Sequence, residues 1–254
     1  MRAGELDGKT AIVTGSGHGM GRSIAEELAA AGARVVLNGR DAARVEATAR
    51  ALREGGAEVA VGVGDVRDSR TAQALAALAL ERWGRIDLLV NNAGINAIRP
   101  SLELTDDEWR AVIETDLSGP FFCSRAVAPA MIQQGSGCIV NISSILGISA
   151  FPQRAAYASA KHGLIGLTKV LATEWGPHGL RVNAVLPGMI DVADKDRSVM
   201  RVQDETLIQR TPLRRFGQPE EVGKLIRYLA SEAGVFVSGA IISIDGAWTA
   251  YGGW

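Results

Sequence analysis

Short apolar, β-branched runs alternate with longer stretches of helical periodicity along most of the chain. Strands are read near 10–14, 34–38, 58–63, 86–90, 137–142, 180–186 and 240–244. Helices are expected over about 20–32, 41–54, 69–83, 106–133 with an interruption, 155–175 and 219–231. Local signals punctuate the pattern. Thr105-Asp-Asp-Glu108 has the form of a capping box, and Trp83-Gly84 reads as a helix stop. Strict alternation of strand and helix is the order of a parallel sheet with crossover helices. Such sheets bind ligands outside the C-terminal ends of their strands. Gly15, Asp65, Asn91, Ser144 and Pro187 each follow a predicted strand, so the chemically suggestive residues converge on one edge.

Composition narrows the class without naming a function. A chain of 254 residues is long enough for one α/β unit that buries roughly 75% of its unfolded surface. A net charge of −1 with mixed signs argues against nucleic acid as a main partner. No apolar segment follows Met1, and no run approaches the ~20 residues that span a bilayer, so a soluble cytoplasmic protein without a membrane partner is expected. Cys123 and Cys138 have no metal-ligand spacing and read as reduced core residues; no metal is expected.

Two local patterns carry chemistry. Tyr157-Ala-Ser-Ala-Lys161 places a phenol and an ammonium four residues apart, one turn along a helix face. An ammonium beside a phenol favours the phenolate of a group that ordinarily titrates near pH ~10, which suits proton exchange at neutral pH. Ser144, thirteen residues before Tyr157, offers a hydroxyl to hold the oxygen on which the proton moves. Standing alone, the pair also fits a helix with one buried tyrosine and one solvated lysine. At the other end, the strand Thr10–Thr14 runs into Gly15-Ser-Gly-His-Gly-Met-Gly21 and then a helix. Glycines there allow a tight turn and close approach of backbone N–H groups to a phosphate, and the helix N-terminus favours negative charge.

With both features present, the chain resembles the short-chain dehydrogenase/reductase family over nearly its whole length. The resemblance rests on Thr14-Gly-Ser-Gly-His-Gly-Met-Gly21, Asp65, Asn91-Asn-Ala-Gly94, Ser144, Tyr157-Ala-Ser-Ala-Lys161, Pro187-Gly188, Arg215-Phe-Gly-Gln-Pro-Glu-Glu221 and Asp245-Gly246. It implies an α/β fold: one Rossmann-type doubly wound domain, residues 1–254, whose seven-stranded parallel sheet is flanked by helices. It also implies an oxidoreductase that interconverts a ketone and a secondary alcohol by hydride transfer with a nicotinamide cofactor. In that reading Tyr157 is proton donor and acceptor, Ser144 orients the substrate oxygen, and Lys161 acts on Tyr157 and on the nicotinamide ribose. Ser143 is the neighbouring alternative to Ser144.

The cofactor would lie against Gly15, Ser16, Gly17, His18, Gly19, Met20, Gly21, Asn38, Arg40, Asp65, Val66, Asn91, Ala93, Gly94, Tyr157, Lys161, Pro187, Gly188 and Ile190. By resemblance Asp65 receives the adenine amino group, a role favoured over its plainer reading as a helix cap before residue 69. NAD-selective relatives carry an acid at the end of the second strand, where this chain has Gly39 followed by Arg40. Glycine leaves room for a 2′-phosphate and a guanidinium matches it in charge and geometry, which favours NADP(H) over NAD(H). His18 agrees with that reading, while Asp41 reads as the N-cap of the next helix.

Two positions depart from the family pattern. Asp116 stands where the fourth catalytic residue is usually asparagine, and as a carboxylate it would favour protonated Lys161. Val192 stands where relatives commonly have a threonine that meets the nicotinamide carboxamide. These departures leave a cofactor-binding regulator as one alternative; a non-redox epimerase- or dehydratase-like member of the family is another.

The substrate is expected to meet Asn96, Ser144, Leu146, Gln153, Tyr157 and Met189, with Ile95, Ala150 and Arg154 nearby. By resemblance, residues 189–215, which include Asp194-Lys-Asp-Arg197, occupy the place of the family's mobile lid, although a charge run of this kind reads by default as solvated surface. Arg154 offers a partner for a carboxylate or simply faces solvent. The resemblance further implies a homotetramer. Ala155, Ala156, Ala160 and Gly163 would let helices of neighbouring subunits approach closely, and Trp248, Tyr251 and Trp254 would pack against a neighbour.

Overall fold

The computed structural model describes residues 4–192 and 201–251. Seven strands form one parallel sheet: β1 (Thr10–Val13), β2 (Arg34–Gly39), β3 (Val59–Val63), β4 (Leu88–Asn91), β5 (Gly137–Ile142), β6 (Leu180–Pro187) and β7 (Ile241–Ile244). Their order across the sheet is β3-β2-β1-β4-β5-β6-β7. The order reverses between β1 and β4, so a crevice opens where the chain leaves those two strands.

Among the described residues eight α-helices accompany the sheet: α1 (Gly19–Ala30), α2 (Ala42–Glu54), α3 (Ser69–Trp83), α4 (Asp106–Ile113), α5 (Gly119–Gln134), α6 (Ala155–Trp175), α7 (Arg201–Arg210) and α8 (Pro219–Ala230). Side chains alternate across each strand. Ala11, Val13, Val35, Leu37, Leu88, Val90, Cys138 and Val140 therefore face one way, onto Ile24 and Leu28 of α1, Val45 and Ala49 of α2, and Val222 and Ile226 of α8. Ile12, Val36, Leu89 and Ile139 face the other way, onto Leu75 and Ala79 of α3 and Cys123, Val127 and Met131 of α5. Burial on both faces explains why these strands read as continuous apolar runs.

The local signals act as their chemistry predicts. Thr105 and Glu108 form the reciprocal capping box of α4. Gly84, at φ 71°, ends α3 in the left-handed region. Asp41 accepts from the Arg44 amide as N-cap of α2. Asp68, not Asp65, caps α3, which removes the capping alternative for Asp65. The interruption in the fourth helical segment is a π-helical turn, Glu114–Ser118, between α4 and α5. Helix α7, inside the charged segment 189–215, carries no apolar periodicity and was not anticipated. The run Asp194–Arg197 and the terminal Trp254 lie outside the described residues.

Two assembly arguments need correction. Ala156 and Ala160 are buried against Val112 of α4, and a Cβ on Gly163 would meet Leu117 Cδ2 at 2.9 Å. The small residues of α6 thus let helices of the same chain approach. Trp248 is 7% exposed and packs within its own chain, with Ile145 and Leu146 and edge-on to Phe151 at 6.1 Å. Its size is accounted for by intrachain burial; Tyr251 is half exposed.

Candidate active site

The turn after β1 shapes the first half of the site. Gly15 (φ 65°) and Gly19 (φ 54°) adopt conformations that L-residues rarely take. A Cβ on Gly15 would sit 2.8 Å from Ala93 Cα, and one on Gly21 would overlap the Gly15 carbonyl and the Asn92 amide. Asn92 stitches the two crossovers together. Its side-chain amide donates to the Thr14 and Gly15 carbonyls at 2.9 and 3.1 Å, and the Asn92 and Ala93 amides donate to Thr14 Oγ1 at 3.0 Å. The result is a backbone cradle at the N-terminus of α1, whose first turn holds no acidic residue. Gly21→Ala is expected to cost about 1–3 kcal/mol through overpacking and to weaken nucleotide binding. Thermal melting and nucleotide titration check this; unchanged Tm and Kd would refute the cradle.

The cradle opens into a cleft of about 830 Å³ lined by Gly15, Gly17, His18, Gly19, Met20, Gly21, Asn38, Arg40, Asp65, Val66, Ala93 and Gly94. Its wall also includes Asn92 of the Asn91–Gly94 motif and residues the sequence did not single out for this role, notably Arg44, Val45 and Thr115. Gly39 ends β2 against Val45, where a Cβ would approach Cγ2 to 2.8 Å, so a larger residue there is disfavoured by packing. Asp65 is raised by burial, but side-chain and backbone hydrogen bonds from Arg67 and the charges of Arg67 and Arg40 outweigh it and hold the carboxyl below its ordinary 3.8. Arg40 reaches Asp65 at 4.0 Å and remains largely exposed on the cleft wall. Backbone donors, a helix N-terminus, two guanidinium groups and this volume fit a dinucleotide.

A second pocket of about 320 Å³ shares Met20, Asn92, Gly94, Ile95 and Val192 with the first and adds Asn96, Asp116, Ser143, Ser144, Tyr157, Lys161, Pro187, Gly188 and Ile190. Ser144 ends the turn after β5, where its Oγ accepts from the Leu146 amide at 3.1 Å. The hydroxyl proton therefore stays available for a ligand oxygen. Ser143 Oγ instead donates to the Lys161 carbonyl at 3.0 Å and ties β5 to α6. Helix α6 sets Tyr157 and Lys161 on one face, with Lys161 Nζ 5.4 Å from the Tyr157 ring centre.

Lys161 is 4% exposed and donates to the Ile142 carbonyl at 2.9 Å. Asp116 is fully buried by the π-turn; its Oδ1 accepts from the Ile95 amide at 2.8 Å. Its Oδ2 lies 3.1 Å from Lys161 Nζ, close enough for an ion pair but off-axis for a hydrogen bond, so that oxygen has no hydrogen-bond donor among the described residues. Burial pulls the Lys161 pKa down, but the charges of Asp116 and Tyr157 and the contact with Asp116 prevail and raise it above 10.5. The π-turn is what aims Asp116 at Lys161, and local insertions of this kind recur at functional sites. Asp116 therefore does more than interrupt a helix, and it complements Lys161 rather than displacing it.

Several expected contacts lie off these pockets. Ser16 is fully buried and its hydroxyl donates to the Asn38 carbonyl. The Asn91 side chain points into the core, donating to Asn141 Oδ1 at 2.8 Å, and Asn92 lines the cleft in its place. Asn38 lines the cleft but its amide is spent on the Gly62 and Gly64 carbonyls. Leu146 is buried beside Trp248, Met189 packs on that same cluster, and Gln153 is exposed. Ser, Asn and Leu in these motifs were legible as residue types; only strand alternation and turn geometry decide which way each points.

Comparison with known proteins agrees with this arrangement. Residues 15–249 match the family described as Enoyl-(Acyl carrier protein) reductase. The trans-4-hydroxycyclohexanecarboxylate dehydrogenase of Sinomonas cyclohexanicum is 43% identical over 95% of this chain and 93% of that protein. The galactitol 2-dehydrogenase (L-tagatose-forming) of Cereibacter sphaeroides is 41% identical over 97% of each chain. A putative gluconate dehydrogenase from Agrobacterium tumefaciens superposes with a TM-score of 0.93 at 36% identity, covering 98% of this chain and 100% of that one. Sheet order, cleft and relatives together make this chain a member of the short-chain dehydrogenase/reductase family, an oxidoreductase acting on alcohols and ketones.

Proposed function

We propose an NADP(H)-preferring dehydrogenase that interconverts a small secondary alcohol and its ketone, with Tyr157, Ser144 and Lys161 as catalytic residues and Asp116 as the positioning partner of Lys161. The observation that carries this reading is the shared pocket: Ser144, Tyr157 and the buried Lys161–Asp116 pair line one cavity that opens into the glycine-lined cleft. The nicotinamide cofactor, when bound, supplies or accepts the hydride. The chain's own residues then manage the oxygen. Ser144 donates a hydrogen bond from its free hydroxyl to the substrate oxygen, and Tyr157 gives or takes the one proton that moves as that oxygen becomes hydroxyl or carbonyl. Lys161, kept charged by Asp116, stabilises the phenolate side of the exchange.

The preference for NADP(H) rests on Arg40 and Arg44, both on the wall of the cleft, and on Gly39 in place of an acid. Asp41 does not oppose it, because its carboxylate caps α2 and pairs with Arg44 at 3.4 Å. Turnover followed at 340 nm with NADPH and NADH, against a panel of ketones, keto sugars, ketoacyl thioesters and 4-oxocyclohexanecarboxylate, tests the proposal. Selective NADPH oxidation is expected. Arg40→Ser is expected to raise KM for NADPH about tenfold while leaving that for NADH nearly unchanged, as loss of one exposed charge-assisted contact implies. Equal effects on both cofactors would refute the Arg40 assignment.

The 254 residues act in this reading as one dinucleotide-binding unit with a lid over about 189–215. Leu207 of α7 already packs in the cluster of Ile145, Leu146 and Trp248 behind Tyr157. A homotetramer in the cytoplasm is proposed with it. Two buried free thiols suit a reducing compartment: burial pushes Cys123 up to about 12 and raises Cys138. Among the described residues no helix is long and apolar enough to cross a membrane.

A further inference from the structure

Arg154 occupies an unusual electrostatic position. It is the N-cap of α6, three residues before Tyr157, and thus on the same side of the helix as the phenol. It is only partly exposed, yet no carboxylate lies within ion-pair distance of it among the described residues. Its sole hydrogen bond there is a long one, from Nη1 to the Gln153 carbonyl at 3.5 Å. Most other guanidinium groups near this end of the sheet are engaged: Arg40 and Arg67 with Asp65, Arg99 with Glu108, Arg215 with Glu221.

The sequence around it supplies no compensating charge. Between Asp116 and Glu174 there is no acidic residue at all, while Arg125, Arg154, Lys161 and Lys169 fall in that interval. Asp116 itself is paired with Lys161, and the acids of α4 are held by Arg99 and Arg110. The backbone is set up with equal care. Gln153, immediately before Arg154, is one of three non-glycine residues with positive φ among those described, at 65°. Its carbonyl accepts from the Arg99 amide at 3.1 Å, which pins the strained turn to the loop that carries Asn96. Strain of this kind persists where the surroundings over-determine it, and it gathers at ligand sites. Burial lowers the Arg154 pKa, against a smaller opposing effect of the Tyr157 side chain.

A guanidinium one helical turn before Tyr157, with no ion pair among the described residues, is suited to receive an anion. The Tyr157 ring itself packs on an apolar cluster that includes Leu146, Phe151, Met189, Leu207 and Trp248, suited to a compact carbon skeleton. We propose that Arg154 recognises a carboxylate on the substrate, and that this enzyme acts on a compact hydroxy acid and its keto acid. The inference deepens the dehydrogenase reading above and rests on it. A bidentate guanidinium–carboxylate contact fixes the far end of the molecule while Ser144 and Tyr157 hold the oxygen that reacts.

The test is a matched pair of substrates, 4-oxocyclohexanecarboxylate and its methyl ester, assayed with the full-length wild type and with Arg154→Gln and Arg154→Lys. The wild type is expected to favour the acid over the ester by about tenfold or more in kcat/KM, mainly through KM. Arg154→Gln should bring that ratio close to one, and Arg154→Lys should restore part of it. Wild-type indifference to the ester, or an equal fall on both substrates in Arg154→Gln, would overturn the carboxylate assignment and leave the dehydrogenase standing. Turnover of neither substrate, with other neutral ketones reduced, would overturn it as well. Silence toward every ketone would overturn the dehydrogenase reading together with this one.

Discussion

Tyr157→Phe is expected to lower kcat by about a hundred- to ten-thousand-fold, the usual contribution of a positioned proton donor, with folding and nucleotide affinity nearly unchanged. The expectation of intact folding follows from the geometry. Tyr157 is half-buried, and its ring packs with the clusters around Val112 and around Ile145, Leu146 and Trp248, whereas its hydroxyl has no hydrogen-bond partner among the described residues. Phenylalanine keeps the ring contacts and orphans nothing. Lys161 Nζ stays over the ring, held by Ile142 and Asp116. Single-turnover kinetics beside thermal melting and NADPH titration provide the check. A large loss of Tm, or retention of more than a tenth of kcat, would contradict the assignment of Tyr157 as proton donor.

The second large effect is at the buried pair. Lys161→Met is expected to abolish detectable turnover and also to destabilise the protein by about 3–5 kcal/mol, because it leaves the carboxylate of Asp116 buried with no cation. Asp116→Asn removes the opposite charge and should be gentler, since the asparagine carbonyl can still accept from the Ile95 amide. Its signature is in pH dependence. The folded-state pKa of Lys161 is raised despite burial, chiefly because Asp116 is charged beside it. The stability contributed by that pairing is complete below the ordinary lysine value of 10.5 and is lost as pH rises through the folded value. With asparagine, burial persists and the carboxylate does not, so Lys161 sheds its proton at lower pH. The alkaline limb of kcat/KM should therefore move to lower pH, and the stability difference from wild type should narrow above 10.5. Superimposable pH–rate profiles for the two proteins would show that Asp116 does not govern Lys161. Denaturant unfolding of the Lys161 and Asp116 single variants and the double variant separates the pair's coupling from simple loss of packing.

Much of this arrangement was legible in the chain itself. Strand identity followed from β-branched runs because parallel strands are buried on both faces, and alternation with helical periods dictated the crossovers. Gly15 and Gly21 could be recognised because a turn that brings backbone amides to a phosphate excludes Cβ atoms, and the structure shows what those atoms would strike. Tyr157 and Lys161 could be placed together because helix geometry links residues four apart regardless of context.

Other features were decided only by tertiary packing. The orientation of Asn91 into the core and of Asn92 toward the cleft depends on a ladder with β5 and on Thr14 across the crevice, contacts far apart in sequence. The role of Asp116 depends on a π-turn that no local propensity announces; it forms where α4, already packed on α6, continues into α5. Trp248, near the chain end and aromatic, looked suited to a neighbouring subunit, yet it finds Phe151 and the Arg210 guanidinium in its own chain. The sequence by itself determined the order of the strands and of every helix but α7, and the residue types at the crevice, since these follow from periodicity and steric need along the chain. Which side chains face ligand, core or one another was decided by the tertiary structure, because facing is a property of elements brought together from distant positions.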